Sequence, residues 1–241
     1  MAYDYQAEQQ FNALHQPVAY ASADRRAMFL KKVFAYFFLG ILIFAGVAAA
    51  ATAYFIRHPE LIMRFWWGAI IAWMILGFLL GRILADPNKG LLCLLLYAVG
   101  EGVIFAPLLA IAYFATGGFT IVAEALILTV LIFGGLTGYV YVTKEDFSFL
   151  GGFLTICGMI LLGVVIFVLI FGGIPTNSIW AIIIPAVFIV FFSLYVLYDT
   201  SVIMKHLPEQ YAAAGAAKLF LDFAGLLYYV LILLLSLSGE N

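Results

Sequence analysis

The chain has 241 residues, 66% hydrophobic and 10% charged, with a mean hydropathy of +1.15 and a formal net charge of −2 at pH 7. Soluble domains average about 25% charged residues, so this composition excludes a water-soluble globule and points to an integral membrane protein. The net charge says nothing about partners, and a basic nucleic-acid face is absent. Cys93 and Cys157 fall in separate apolar stretches without a CxxC or ligand spacing, and read as small packing residues.

Residues 1–30 read as a polar, cytoplasmic tail, and residues 31–238 as one transmembrane domain. Ser22 to Lys32 carries Arg25, Arg26, Lys31 and Lys32. It reads either as a short basic amphipathic lead-in helix capped by Ser22 or, more simply, as the charged flank of the first span. Seven hydrophobic stretches follow, each near the ~20 residues that cross a bilayer: 33–56, 61–84, 91–115, 119–142, 149–171, 179–203 and 212–237. The breaks between them hold turn and charge residues, such as Asp86-Pro87-Asn88-Lys89-Gly90, Thr116-Gly117-Gly118 and Leu207-Pro208-Glu209. The ten-residue alternation of a membrane barrel is absent. The expected fold is therefore all-α, a seven-transmembrane-helix bundle with short connections.

Lys and Arg counts orient it. Arg25, Arg26, Lys31, Lys32, Arg82, Lys89, Lys144 and Lys205 fall on one side, and Arg57 and Arg64 on the other. The N-terminus is expected in the cytoplasm and, after seven crossings, the C-terminus outside. Gly77 with Gly81 and Gly134 with Gly138 have the spacing that lets helices approach closely.

The charges inside the spans carry the chemistry. Asp199 and Asp222 lie in the sixth and seventh stretches, where an ionisable group costs at least about 2.5–3.5 kcal/mol near the bilayer centre. At 1.5 Å per residue, Asp199 is roughly 6 Å and Asp222 roughly 15 Å from the cytoplasmic end of its span. Arg82 ends the second span in the same half of the membrane. If the aspartates meet, they share one proton and titrate as a pair, which makes a proton-operated latch. Arg82 would compete for the ionised carboxylates. Lys218, four residues before Asp222, shares its helix face and offers a purely structural ion pair instead. Glu101 sits six residues before Pro107, a helix-interior proline that removes a backbone hydrogen bond, and could line an ion path. Glu124 lies near the outer end of the fourth span, as an interfacial acid or an outer cation site. Carboxylates and carbonyls suit hard cations such as calcium, although this set is too sparse for a tight site.

Thr143-Lys-Glu-Asp-Phe-Ser-Phe-Leu-Gly-Gly-Phe153, Phe192-Ser-Leu-Tyr-Val-Leu-Tyr-Asp-Thr200, Leu219-Phe-Leu-Asp-Phe223 and the pair Glu101-Gly102 together resemble the Bax inhibitor-1, or transmembrane Bax inhibitor motif, family. The likeness covers nearly the whole span region. It implies a seven-helix bundle with the last helix near its centre. It also implies a pH-sensitive calcium leak, with Asp199 and Asp222 as the pH-sensing pair and Arg82 as their latch partner. Calcium is then the transported ion, held near Asp199 and Asp222, and no cofactor is expected. The implied partners are the lipid bilayer, calcium ions and protons. Lys218 departs from the family, which is mostly small or apolar there, and the short tails look prokaryotic, so a prokaryotic plasma membrane is the expected location.

Two other classes compete. A proton-coupled transporter of a small solute would use the same carboxylates with a pocket at mid-membrane. An intramembrane aspartyl protease would also use two acids on successive spans. However, Asp222 follows Phe220-Leu221 rather than the glycine-rich approach of that class, so an enzyme is not expected.

Overall fold

The computed structural model describes residues 16–62, 64–65, 68, 86–171 and 179–239. Six helices among them are long and apolar enough to cross a membrane: α1 (Ala23–Arg57), α2 (Gly90–Thr116), α3 (Thr120–Thr143), α4 (Leu150–Phe171), α5 (Trp180–Lys205) and α6 (Ala212–Ser238). The stretch expected to form the second span, with Arg82, Gly77 and Gly81, lies almost wholly outside the described residues, as does most of the N-terminal tail. Helical backbone does resume at Glu60, after the break at His58-Pro59.

The ends of these helices follow local chemistry. Ser22 caps α1 by accepting the Arg25 N–H at 3.4 Å, and Asp24 occupies the first turn, where a negative charge suits the helix dipole. The basic lead-in is therefore not a separate helix. It forms the first turns of one 35-residue helix, roughly 52 Å long against a hydrocarbon layer of about 30 Å. Gly117 closes the α2–α3 turn at φ +73°, a conformation that glycine adopts without penalty. Lys144 ends α3 at φ 56°, its N–H donating to the Val140 carbonyl.

The chain forms two compact units, one of Met1–Ala106 with Ser201–Phe220 and one of Pro107–Thr200 with Leu221–Asn241. In the first, α1 turns one stripe inward: Phe29, Val33, Phe37, Gly40, Phe44, Ala48, Thr52 and Phe55. Their spacing of three and four is that of one helix face. Phe44 meets Phe105 and Phe220 edge-on, at 5.4 and 5.9 Å between ring centroids. Gly102 brings α2 against α1, so close that an added Cβ would lie 2.9 Å from Val47 Cβ and 3.0 Å from the Phe44 carbonyl oxygen. The Thr52 hydroxyl reaches the Ala106 carbonyl, beside Pro107.

The N-terminal segment belongs to this unit as a strap. Pro17 pairs with Pro208 in an isolated antiparallel bridge. The Val18 N–H donates to the Leu207 carbonyl at 3.0 Å, and the Val18 side chain is 1% exposed. Arg25 reaches Glu209 at 3.0 Å. The tail is thus fastened to the α5–α6 connection.

In the second unit, α3 buries Ile121, Ala125, Thr129, Phe133, Thr137 and Val140, again one face. Phe133 meets Phe223 of α6 edge-on at 5.5 Å. Phe188 of α5 stacks on Tyr229 of α6, centroids 4.0 Å apart and planes 3° from parallel. Gly151 of α4 takes the Tyr198 ring, 3.0 Å from where its Cβ would be.

Burial is uneven along the chain. About half of the most apolar stretch is buried in α2 (56%) and α6 (50%), against 6% in α4. Phe153, Ile156, Met159, Ile160 and Phe167 are exposed on α4.

Candidate functional site

Asp199 lies on α5, six residues before its last residue, and Asp222 lies on α6, ten residues after its first. They are 5% and 4% exposed and belong to the same compact unit. Few charges are found this deep, because burying a carboxyl without compensation is costly.

The α5–α6 hairpin sets their relation. The short connection through Leu207-Pro208 and the 3-10 turn Glu209–Tyr211 makes the two helices antiparallel neighbours. Two contacts fix their register. Phe188 is level with Tyr229, and Gly225 lies directly against the Phe192 ring. Measured from the Phe192–Gly225 level toward the connection, Asp222 is about 4.5 Å and Asp199 about 10.5 Å away. The aspartates therefore stand on facing helices roughly one turn, about 6 Å, apart in height. The span ends read from sequence gave about 9 Å. The register narrows the gap because α5 runs two residues further than expected, to Lys205.

The other expected site residues fall as follows. Lys218 is half-buried on α6, one turn before Asp222. Glu101 is buried on α2, in the first unit rather than the one that holds the aspartates. Glu124 is exposed in the second turn of α3. Arg82 lies outside the described residues. Among the described residues, no three His, Cys, Asp or Glu side chains gather where they could hold a metal ion.

Buried hydroxyls stand on the same helix as Asp199 and on α3. Thr200 and Ser201 follow Asp199 and are 4% and 0% exposed, and Thr137 is 8% exposed on the α3 stripe. The signal for Thr137 was available in the four-residue spacing from Ala125 through Thr129 and Phe133. Buried threonine is unremarkable in a helix that can bond it to its own backbone, so only the structure separates these residues from the rest.

Comparison with known proteins adds to this geometry. Residues 26–239 match the family model described as "Inhibitor of apoptosis-promoting Bax1". Bax inhibitor 1 of Schizosaccharomyces pombe is 27% identical over 237 residues, covering 93% of this chain and 82% of the yeast protein. Protein LIFEGUARD 1 of Arabidopsis thaliana is 30% identical over 226 residues, 90% of each chain. An uncharacterized protein of Neisseria meningitidis is 30% identical over 202 residues, 82% of this chain and 85% of its own.

Proposed function

This chain belongs to the Bax inhibitor family, and from that premise we propose that it is a pH-sensitive calcium-leak channel gated by protonation of Asp199 and Asp222. The observation that carries the reading is the placement of two buried carboxyls one turn apart on facing antiparallel helices of one compact unit, whose buried side chains are mostly apolar. At that spacing a proton gained or lost by one carboxyl alters the electrostatic cost of ionising the other. The state of the pair then biases how α5 and α6 pack. Carboxylate oxygens are also ligands a hard divalent cation accepts during passage.

The rest of the architecture follows in the same reading. Residues 61–84 supply a further span, making seven, with Arg82 at its cytoplasmic end as the competing cation. The last helix stands near the centre of the bundle, in keeping with the half-buried stretch of α6. The N-terminus faces the cytoplasm and the C-terminus the outside of a prokaryotic plasma membrane; the relative in Neisseria supports the bacterial setting. Glu101 serves the ion path, and Lys218 modulates Asp222 from the preceding turn.

Calcium flux into dye-loaded liposomes, followed from mildly acidic to mildly alkaline pH, tests this. The wild type is expected to leak with a pH dependence that Asp199→Asn or Asp222→Asn flattens. No calcium movement at any pH would reject the channel and leave saturable proton-coupled solute uptake as the next measurement. Movement with an unchanged pH profile in both variants would make the pair structural.

A further inference from the structure

Five helical hydroxyls in this protein share one habit, while Thr52 reaches across to Ala106 and Ser238 bonds three residues back. Thr116, Thr129, Thr143, Thr155 and Ser236 each donate to the carbonyl four residues back, at 2.7 to 2.9 Å. That bond is always within a threonine's reach, one χ1 well away. Thr137 and Thr200 do not make it. Both are more than nine-tenths buried, and among the described residues the Oγ1 of each has no hydrogen-bond partner. A buried hydroxyl that forgoes its own helix carbonyl gives up a hydrogen bond. It recovers that loss only where a further polar partner comes to it.

The two hydroxyls also lie within about 3 Å of each other in height. Phe133 and Phe223 are in ring contact, which sets the level of α3 against α6, as Phe192 and Gly225 set α5 against α6. Two crossings separate α3 from α5, so they run the same way. Counted at 1.5 Å per residue, the order going inward from the ends at Lys205 and Thr143 is Thr200, Asp199, Thr137 and Asp222. These four span about 7.5 Å, with Thr137 between the two aspartates in height. The next polar residue along the α3 stripe, Thr129, is closed off by its own bond to Ala125, and beyond it the stripe continues with Ala125 and Ile121.

We propose that Thr137 and Thr200 hold water beside the aspartates, forming a hydrated polar ladder that enters from the Lys205 end of the bundle and stops below Thr129. The inference rests on reading Asp199 and Asp222 as the working groups, and it names the residues that wet them. Water bound there gives protons a route to the buried carboxyls. It also lets a divalent cation exchange part of its hydration for hydroxyl and carboxylate oxygens, both hard ligands. The ladder assigns the inner path to α3 and α5, a different pair of side chains from Glu101 and Glu124.

Radiolytic footprinting in water enriched in heavy oxygen tests this on the full chain in liposomes, because a hydroxyl radical made from a bound water labels the side chains beside it. Phe133 and Phe223 are both buried and lie next to the ladder, so they report it. In the wild type both are expected to take up heavy oxygen despite their burial. Thr137→Val with Thr200→Val, isosteric and apolar, is expected to lower that labelling several-fold. Thr137→Ser with Thr200→Ser should preserve it, and exposed Phe153 should label alike in all three. The single valine variants give the same reading if the double variant folds poorly. Absence of label at Phe133 and Phe223 in the wild type, or unchanged label in the valine variants, overturns the inference. Calcium flux on the same samples separates the two claims: labelling that behaves as expected without calcium movement rejects the channel and leaves the hydrated ladder standing.

Discussion

Gly225 of α6 lies so close to the Phe192 ring of α5 that a Cβ would overlap the ring's edge. The absence of one side chain is what lets the two aspartate-bearing helices meet at their register. Gly225→Ala forces a methyl into a filled space, and overpacking of this kind costs about 1–3 kcal/mol. The variant is expected to melt earlier in detergent. Combining it with Phe192→Leu should recover part of the loss, because the two sites share one contact. Independent, additive effects in that cycle would show that the close approach is not the cause.

Glycines elsewhere divide by the same criterion. Gly102→Ala sets a methyl against Val47 and the Phe44 carbonyl. A backbone oxygen cannot swing aside, so a loss of about 1–3 kcal/mol is expected. At Gly134 and Gly138, no atom of the described residues lies within 4 Å of an added Cβ. Alanine there is expected to leave stability unchanged or raise it by roughly 0.5–1 kcal/mol through helix propensity. Thermal unfolding of the three single variants checks the ranking, and equal losses at all three positions would contradict it.

The glycine spacing also marks where sequence stopped being informative. Gly134 and Gly138 have the glycine spacing expected of a packing pair, yet the closest approaches fall at Gly102 and Gly225, neither of which lies four residues from another glycine. A spacing says that two small residues share a face. Which face meets a neighbour depends on register, and register is set by bulky partners such as Phe192 and Val47 far away in sequence. The helix limits were legible, since apolar runs end where Gly, Pro and charge begin. The expected 91–115 and 119–142 became Gly90–Thr116 and Thr120–Thr143. The apolar stretch at 33–56 marks only the lipid-crossing part of α1, while the helix begins ten residues earlier at the Ser22 cap that the sequence offers. The aspartates stood out for their cost in an apolar span. Thr137 and Thr200 did not, because a threonine's hydrogen bond is a matter of rotamer rather than residue type.

The strap between the N-terminal segment and the α5–α6 connection has two parts of unequal weight. The Arg25–Glu209 pair is partly exposed, with side-chain exposures of 38% and 19%. Such pairs contribute about 0–1 kcal/mol and weaken in salt. Arg25→Ala is therefore expected to change the melting temperature little, and less still at high ionic strength. Val18 is buried, and Val18→Asp would place a charge where the valine side chain packs. That variant is expected to release the segment, detected as faster amide exchange at Val18 and at the connection around Leu207. Protection unchanged in Val18→Asp would show that the bridge does not hold the strap.

The stack of Phe188 on Tyr229 lies seven residues, about 10.5 Å, beyond Asp222 on the side away from the α5–α6 connection. With Phe192 beside it, it forms an apolar layer between the aspartates and the far end of the hairpin. A leak gated at the aspartates requires such a layer to be tight, since a cation crossing apolar side chains has no ligands to replace its water. Truncation at Phe188→Ala removes a large buried ring and costs about 3–5 kcal/mol. In the channel reading, the same truncation also opens the layer. Calcium flux in liposomes is then expected to rise at every pH and to lose part of its pH dependence, as control passes from the aspartates to a permanent gap. Tyr229→Phe keeps the stacked ring and removes only the hydroxyl, so both stability and flux should stay near wild type. If Phe188→Ala lowers the melting temperature while the flux and its pH profile hold, the aromatic layer is a packing device and the barrier to the ion lies on another helix.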